Sequence, residues 1–442
     1  MPAATEPEIV TLGCRLNIAE SETIRALVNG RDLIVVNSCA VTNEAVKATR
    51  AAIRRARRAR PAAELVVTGC AAQIDPAGFA RMAEVDRVIG NGEKLSPAAW
   101  RAPDAVVVGD IMRVRETAPH LAASFAGHAR AFVEVQNGCD HRCTFCAIPF
   151  GRGPSQSVPA AIVVARIAAL AAAGHREVVL TGVDLTSYAA ADAADLGALV
   201  ERILTDVPAL TRLRLSSLDS IEIDDRLFAL VTQEPRIMPH LHLSFQSGSD
   251  LILKRMRRRH SRRQAIDTVA RLKAARAEIA IGADLIAGFP TEDAAMAADT
   301  LALIAAADIV HAHIFPYSPR DHTPAARMPQ VEPALRRARA ATLRAAAAER
   351  KAAWLRDLVG TVQAVLIERR GDAGHAANFA EVRLSAAGAS TGSARTRTIT
   401  SPVRPEPVER YVPGAARAPA PGTIARVRIT AATDSELQGM SL

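Results

Sequence analysis

Six cysteines carry the most informative chemistry in this 442-residue chain, and they fall into two trios. Cys139, Cys143 and Cys146 lie in the stretch Asn137-Gly-Cys-Asp-His-Arg-Cys-Thr-Phe-Cys-Ala-Ile-Pro149. That spacing is short enough for one loop to wrap a corner of an iron–sulfur cube, with the thiolates as iron ligands. Three ligands leave one iron of a 4Fe–4S cube without protein sulfur. An open position of this kind separates a reactive metal site from a structural one, and it can chelate the amino and carboxylate groups of a small molecule. Two other readings stand beside this one. A structural zinc site needs a fourth ligand, and His141 lies inside the loop, although zinc ligands ordinarily come as two separated pairs. An electron-carrying ferredoxin would supply four cysteines per cluster. The second trio is Cys14, Cys39 and Cys70, spaced 25 and 31 residues apart, close to the ~30 residues of a βαβ unit. Six cysteines could also form three disulfides, but a reduced intracellular chain of this size needs no such staples.

The elements that would position these thiols follow from hydrophobic pattern. Ile9–Leu12, Leu33–Val36 and Leu65–Thr68 are β-branched runs that each end at a cysteine, at Gly13-Cys14, Asn37-Ser38-Cys39 and Gly69-Cys70. Residues 20–28 and 42–58 between them have helical periodicity. Alternation of this kind predicts a doubly wound parallel sheet, and each cysteine then falls beyond the carboxyl end of a strand, where such sheets form their crevice. A lone cysteine is more often a small core residue, but the same placement recurs three times. A second series has candidate strands at 131–135, 177–181, 212–216, 240–245, 279–286 and 309–315, with helical patterns between. Six units predict a partial (β/α)6 barrel whose chemistry sits on the loops after the strands. Residues 124–129 read as the linker before it and 332–358 as the exit helix. From about residue 359, strands at 359–367, 379–384 and 423–429 with no helix between predict a small antiparallel β-barrel. The Ser/Thr/Pro/Ala/Arg-rich stretch 385–422 reads as a disordered insertion into it. The resulting domains are 1–123, 124–357 and 358–442.

Composition excludes several classes. With 49% apolar and 23% charged residues the chain is neither wholly disordered nor collagen-like. No run of ~18 uncharged apolar residues is present to cross a membrane, and no basic region precedes an apolar core at the N-terminus, so the expected location is cytoplasmic. The net charge is +9, and the runs 47–60 and 254–263 hold seven Lys/Arg each with no acid, leaving the remainder at −5. Two concentrated basic runs suit a polyanion such as a nucleic acid, against the plainer reading of solvated helix faces.

The loop at 139–146 followed by a (β/α) barrel resembles the radical S-adenosylmethionine superfamily. Leu180-Thr-Gly182-Val-Asp184, Leu215-Ser216-Ser217 and the stretch 279–290 resemble its cofactor-contacting strand ends. Thr11-Leu-Gly-Cys14-Arg-Leu-Asn17, Val36-Asn-Ser-Cys39-Ala-Val-Thr42 and Val67-Thr-Gly-Cys70-Ala-Ala-Gln73 resemble the three cysteine segments of the methylthiotransferases, as does His242-Leu-Ser-Phe-Gln246-Ser-Gly-Ser249. The resemblance implies two 4Fe–4S clusters, one on Cys139, Cys143 and Cys146 and one on Cys14, Cys39 and Cys70, the second holding the sulfur to be transferred. It implies S-adenosylmethionine bound by Gly182, Ser216, Gln246 and Asp284, a TRAM-like RNA-binding C-terminal barrel, and tRNA as partner. It also implies an electron donor such as flavodoxin or ferredoxin and a sulfur donor. Cys39-Ala-Val-Thr-Asn43 with Lys47 and Arg50 resembles the branch acting on threonylcarbamoyladenosine at tRNA position 37. The alternatives are the isopentenyladenosine branch, the branch acting on a ribosomal protein, a radical methylating enzyme, and an iron–sulfur RNA-binding protein without turnover. The sequence departs from the family at Arg15, where lysine is usual, at Ile18 for glutamine and at Ser38 for threonine. Aromatic residues are only 3% of the chain, so base stacking would rest on a few, with Phe150, Phe315 and Tyr317 the candidates. His141 and His242 lie near the site, and the plain reading of each is structural.

Overall fold

The computed structural model describes residues 6–115, 125, 128–368, 371–385 and 419–442. Most of 385–422, and half of the linker 124–129, lies outside the described residues.

The first sheet is parallel throughout, in the order β1 (Glu8–Thr11), β2 (Leu33–Ser38), β3 (Glu64–Gly69), β4 (Arg87–Ile89), β5 (Val106–Val107). β2 is buried along its whole length, which is why it reads as a continuous apolar run and not as an alternating one. The two short strands β4 and β5 extend the sheet beyond the three expected from sequence; at three and two residues they carry too little pattern to be read. Helix α1 (Arg15–Leu27) begins directly after Cys14, and α2 (Asn43–Ala59) is capped by Thr42, whose hydroxyl accepts from the Ala45 amide at 3.1 Å.

The second system is a six-unit parallel wall. β6 (Ala131–Glu134) leads into a small antiparallel pair, β7 (Gln136–Asn137) with β8 (Gln156–Ser157), and pairs with β9 (Glu177–Thr181), which pairs with β10 (Arg212–Leu215). β11 (Ser217–Leu218) continues to β12 (His240–Gln246), β13 (Ala280–Ala287) and β14 (Ile309–Pro316). The expected partial barrel is present, with its third strand split at Ser216: the Ser216 amide still donates to Leu180, whereas Ser217 pairs across to His242. Strand alternation sorts the wall. Leu241, Leu243 and Phe245 join the helical core with Ala265, Val269 and Leu272, while His240 and His242 face the lumen with Glu177, Arg214, Asp284 and His311.

The C-terminal unit is a closed five-stranded barrel in the order β15 (Val362–Ile367), β16 (Ala373–Ala376), β17 (Glu381–Leu384), β19 (Leu437–Ser441), β18 (Ile424–Ala432). It is antiparallel except that β17 and β19 pair in parallel. β16, Ala-Gly-His-Ala, lacks the β-branched residues that mark a strand, which is why sequence missed it. Tertiary pairing supplies what propensity does not.

This barrel closes the base of the larger one. Ala280 and Val310, at the starts of β13 and β14, share a core with Trp354, Leu355, Val365 and Val382. Phe379 enters the lumen with positive φ of 69° and stacks on His240 at 4.8 Å. Arg214 donates to the carbonyls of Ala376 and Ala377 at 2.9 Å and to Glu177 at 2.8 Å. Arg130 reaches Glu177 and Glu368, both at 2.9 Å. Burial pushes the Glu177 carboxyl up, but Arg214, Arg130 and Arg212 outweigh it and hold it at about 2. Among the described residues no helix is long and apolar enough to cross a membrane.

A carboxyl held below its ordinary 4.5 contributes its stability in full above that pH and loses it as pH falls toward about 2. Glu177→Gln, which leaves buried guanidiniums without their anion, is expected to cost about 3–5 kcal/mol at neutral pH and to flatten the stability profile between pH 4.5 and 2. Urea denaturation of both forms across that range checks this; parallel profiles would contradict it.

Candidate functional site

The three N-terminal thiols are delivered by neighbouring strand ends. Gly13 has φ +100°, and a Cβ there would lie 2.9 Å from Cys39 Sγ, so the turn before Cys14 brings the backbone against the second thiol. Gly69 has φ +92° with Ser38 oxygen 2.5 Å from where its Cβ would be, and Cys70 follows as the first residue of α3 (Cys70–Ile74). Ser38 accepts from the amides of Ala71 and Ala72 at 3.1 and 3.2 Å and so fixes that helix start. Burial pushes the Cys39 thiol up to about 11, with Cys70 and Cys14 adding to it.

The loop of the other trio is tied down from several sides. The Cys139 amide donates to Gly153 and the Cys146 amide to Cys143, both at 3.1 Å. Thr144 donates to Met256 through its amide and to Arg255 through its hydroxyl. Arg258 lies 3.7 Å from Cys143 Sγ and pairs with Asp219 at 2.9 Å. Burial pushes the Cys146 thiol up to about 12. All six cysteines are free thiols.

A buried ionic knot joins the two trios. Arg152, closing the helix Ile148–Arg152 that follows Cys146, grips Glu20 of α1 with both nitrogens at 2.9 and 3.2 Å, Asn17 at 2.7 Å and Asn137 at 3.0 Å. Lys94 reaches the same carboxylate at 2.5 Å. The three charged side chains are about 1% exposed. Burial opposes the charge on Arg152, but Cys70, Glu20 and Cys14 together raise its pKa well above the usual value. Asn91 completes the junction, donating to Gly151 at 2.7 Å and approaching Cys70 Sγ at 3.8 Å. Two cations to one carboxylate under Cys14 and Cys70, and Arg258 at Cys143, form surroundings suited to anionic iron–thiolate clusters.

Donor spacing bears on the metal. Among the described residues, the ligand trios whose donor atoms all lie within 4.8 Å of one another are His242/Asp284/His313 and His141/Asp184/Glu222; neither cysteine trio is drawn that close. Zinc, with bonds of about 2.3 Å to sulfur, holds its thiolates roughly 4 Å apart. A cube gives each thiolate its own iron and so takes thiolates that are more widely set.

The other sequence-derived positions separate. Gly182 follows β9, and a Cβ there would meet Gln136 Oε1 at 3.0 Å; the same side-chain oxygen accepts from the Asp184 amide at 2.8 Å. Ser216 is buried, and among the described residues its hydroxyl has no hydrogen-bond partner, which suits contact with a polar ligand. Gln246 ends β12 with φ 65°. Asp284 lies deeper in the lumen, accepting from His242 Nε2 at 3.0 Å and facing His313 Nδ1 at 3.2 Å. Of the proposed stacking residues, Phe150 and Phe315 are 43% and 38% exposed, but Tyr317 is 4% exposed and packs on Phe289, so it has no face to offer a base. A cavity of about 510 Å³ beside the thiols is lined by Asn43, Ala71, Ala147, Phe150, Arg320 and His322.

Glu20, Lys94 and Arg152 went unread in the sequence. The available signal was Glu20 falling in register with Leu16, Ala19, Thr23 and Ile24 on the buried face of α1. The basic run 254–263 is also less free than its composition implies: Arg258, Arg259, Arg262 and Arg263 all face carboxylates.

A model of the radical SAM superfamily matches residues 133–304, and one of uncharacterized protein family UPF0004 matches residues 7–90. The chain is 48% identical over 383 residues to the threonylcarbamoyladenosine tRNA methylthiotransferase MtaB of Rickettsia prowazekii (strain Madrid E), covering 85% of this chain and 91% of the relative. It is 36% identical to the protein of the same name from Aquifex aeolicus (strain VF5), over 72% of this chain and 82% of that one. Its identity is 35% with the tRNA-2-methylthio-N(6)-dimethylallyladenosine synthase of Cereibacter sphaeroides (strain ATCC 17025 / ATH 2.4.3), with 82% and 87% covered.

Arg152→Met removes the guanidinium that grips Glu20 from the following sheet and is expected to cost about 3–5 kcal/mol and to expose the segment around Cys14 to limited proteolysis. Arg152→Lys keeps the charge without the fork and should fall between. Equal stability of all three forms in urea would contradict the assignment.

Proposed function

The chain belongs to the methylthiotransferase family of the radical S-adenosylmethionine superfamily, and from that premise we propose that it places a methylthio group on threonylcarbamoyladenosine at position 37 of tRNA. The observation that carries the reading is the joining of two separate thiol trios, on strand ends of two different sheets, by one buried ionic knot. The 48% relative bears that activity in its name, and several others of the same name match over about 72% of the chain.

In this reading Cys139, Cys143 and Cys146 hold the cluster that acts on S-adenosylmethionine, and Cys14, Cys39 and Cys70 hold the sulfur-donating one. When bound, the first supplies the electron that cleaves the cofactor to a carbon radical, and the second supplies the sulfur. The chain's own residues do the positioning. Gly182 leaves room for the cofactor beside Gln136, and the unpartnered Ser216 hydroxyl is available to it. Gln246 and Asp284 line the lumen side of the same site. The Arg152–Glu20–Lys94 knot fixes the separation of the trios, since a shift of either loop would break fully buried ion pairs. Phe150, with its exposed ring on the neighbouring cavity, offers a stacking face to an unpaired base. The C-terminal barrel would grip the RNA backbone as a TRAM-like module. The enzyme works in the cytoplasm, with electrons from a flavodoxin or ferredoxin and sulfur from a separate donor.

Two measurements test this. Mass spectrometry of tRNA nucleosides should show the 2-methylthio derivative of threonylcarbamoyladenosine lost on gene deletion and restored on complementation; an unchanged level rejects the assignment. In reconstituted protein, Cys39→Ala should keep forming 5′-deoxyadenosine while thiomethylation falls below detection. Persisting thiomethylation would show that the N-terminal trio is not the sulfur site.

A further inference from the structure

Three guanidiniums from different parts of the chain converge on the Phe379 ring: Arg214 at 5.0 Å, Arg130 at 5.5 Å and Arg15 at 5.8 Å from its centre. Two of them are satisfied. Arg214 is held by Glu177 and two carbonyls, and Arg130 by Glu177 and Glu368. Glu177 takes Arg212 as well, at 3.5 Å. Arg15 differs. Among the described residues it donates no hydrogen bond and closes no ion pair, and its surroundings beyond the ring are the charges of Arg130, Arg214, Glu177 and Asp284. It is half-buried. Five N–H donors on a guanidinium without a partner in a partly dry lumen are a standing cost that an incoming anion would relieve.

The place of this cation decides what the anion is. Arg15 is the residue after Cys14, so it springs from the loop that holds the sulfur-donating trio and points into the lumen. The lumen is open to solvent there, since His313, on the same Asp284, is 60% exposed. In the substrate reading above, the N6 substituent of a base presented to that trio is the group that Arg15 would meet. Threonylcarbamoyladenosine carries a free carboxylate on that substituent; an isopentenyl group carries none. Arginine at this position presents a permanent charge and a planar fork that matches a carboxylate.

Resting on the substrate reading above, we infer that the Arg15 guanidinium pairs with the carboxylate of the threonylcarbamoyl group and is the residue that selects this substrate over an adenine with an apolar N6 substituent. The other amino-acid carboxylate that enters the site is that of S-adenosylmethionine, and the test separates the two.

Equilibrium binding of anticodon stem-loop RNAs to the reconstituted holoprotein, which needs no turnover, provides the readout. Wild type should prefer the threonylcarbamoyl stem-loop over one with unmodified adenine by roughly ten- to a hundredfold, the size of one charge-assisted contact. The preference should vanish in Arg15→Gln and largely survive in Arg15→Lys. Wild type should also lose it toward a stem-loop whose threonyl carboxylate is converted to the amide, an arm that needs no variant to fold. Iron content and 5′-deoxyadenosine formation without RNA should be unchanged in Arg15→Gln. A preference that persists in Arg15→Gln, or toward the amide, overturns the inference while leaving the enzyme's activity as proposed. Loss of cofactor cleavage with the RNA preference intact overturns it in favour of the S-adenosylmethionine carboxylate. No preference in wild type overturns the substrate reading, and the inference with it.

Discussion

A carboxylate buried between two cations is the constraint on which the rest of the structure depends. Glu20 has no water to turn to and is shared by Lys94 of its own domain and Arg152 of the next. An ion group of this kind contributes little net stability compared with a well-packed apolar core, but breaking it is expensive. Its value is in register. Arg152 ends the helix that begins just beyond Cys146, Glu20 lies less than two turns of α1 from Cys14, and Gly151 packs on Cys70. The two sheets are therefore locked through the very segments that carry the thiols. Transfer between two metal sites demands that kind of fixity.

The barrel lumen has a second, different electrostatic organisation. Its base is closed by Phe379 of the C-terminal barrel, and beneath and beside that ring the side chains are polar: Glu177 with Arg130, Arg212 and Arg214, then His240 and His311, then Asp284 with His242 and His313. Burial holds His240 well below its usual pKa and His311 at about 3, so both stay neutral beside the guanidiniums. Arg212 and Arg214 anchor the small barrel through backbone carbonyls of Ala364, Ala376 and Ala377. The small barrel is thus rigidly referenced to the floor of the larger one.

Much of this was legible in the sequence. Continuous apolar runs ending at Cys14, Cys39 and Cys70 gave the parallel sheet and its crevice, and six strand–helix units gave the barrel, because burial on both faces leaves a strong compositional mark. The split at Ser216, the strands Arg87–Ile89 and Val106–Val107, and the Ala-Gly-His-Ala strand were not legible, since they rest on pairing partners far away in sequence. The site divides in the same way. Cysteine spacing announces itself, whereas Glu20, Lys94 and Arg152 are 74 and 132 residues apart along the chain and are ordinary surface residue types until folding buries them. Tyr317 was misplaced for the converse reason: an aromatic after a strand end has the same sequence signature whether it faces a ligand or Phe289.

The claim beneath all of this is that each thiol trio holds its own iron cube. Iron and acid-labile sulfide per polypeptide, measured in anaerobically reconstituted protein, test it most directly when wild type is set beside variants with alanine at Cys14, Cys39 and Cys70 or at Cys139, Cys143 and Cys146. The account predicts about eight irons for wild type and about four for each variant, one cube per surviving trio. Zinc in place of iron, or about four irons in wild type with none in one of the variants, would contradict it.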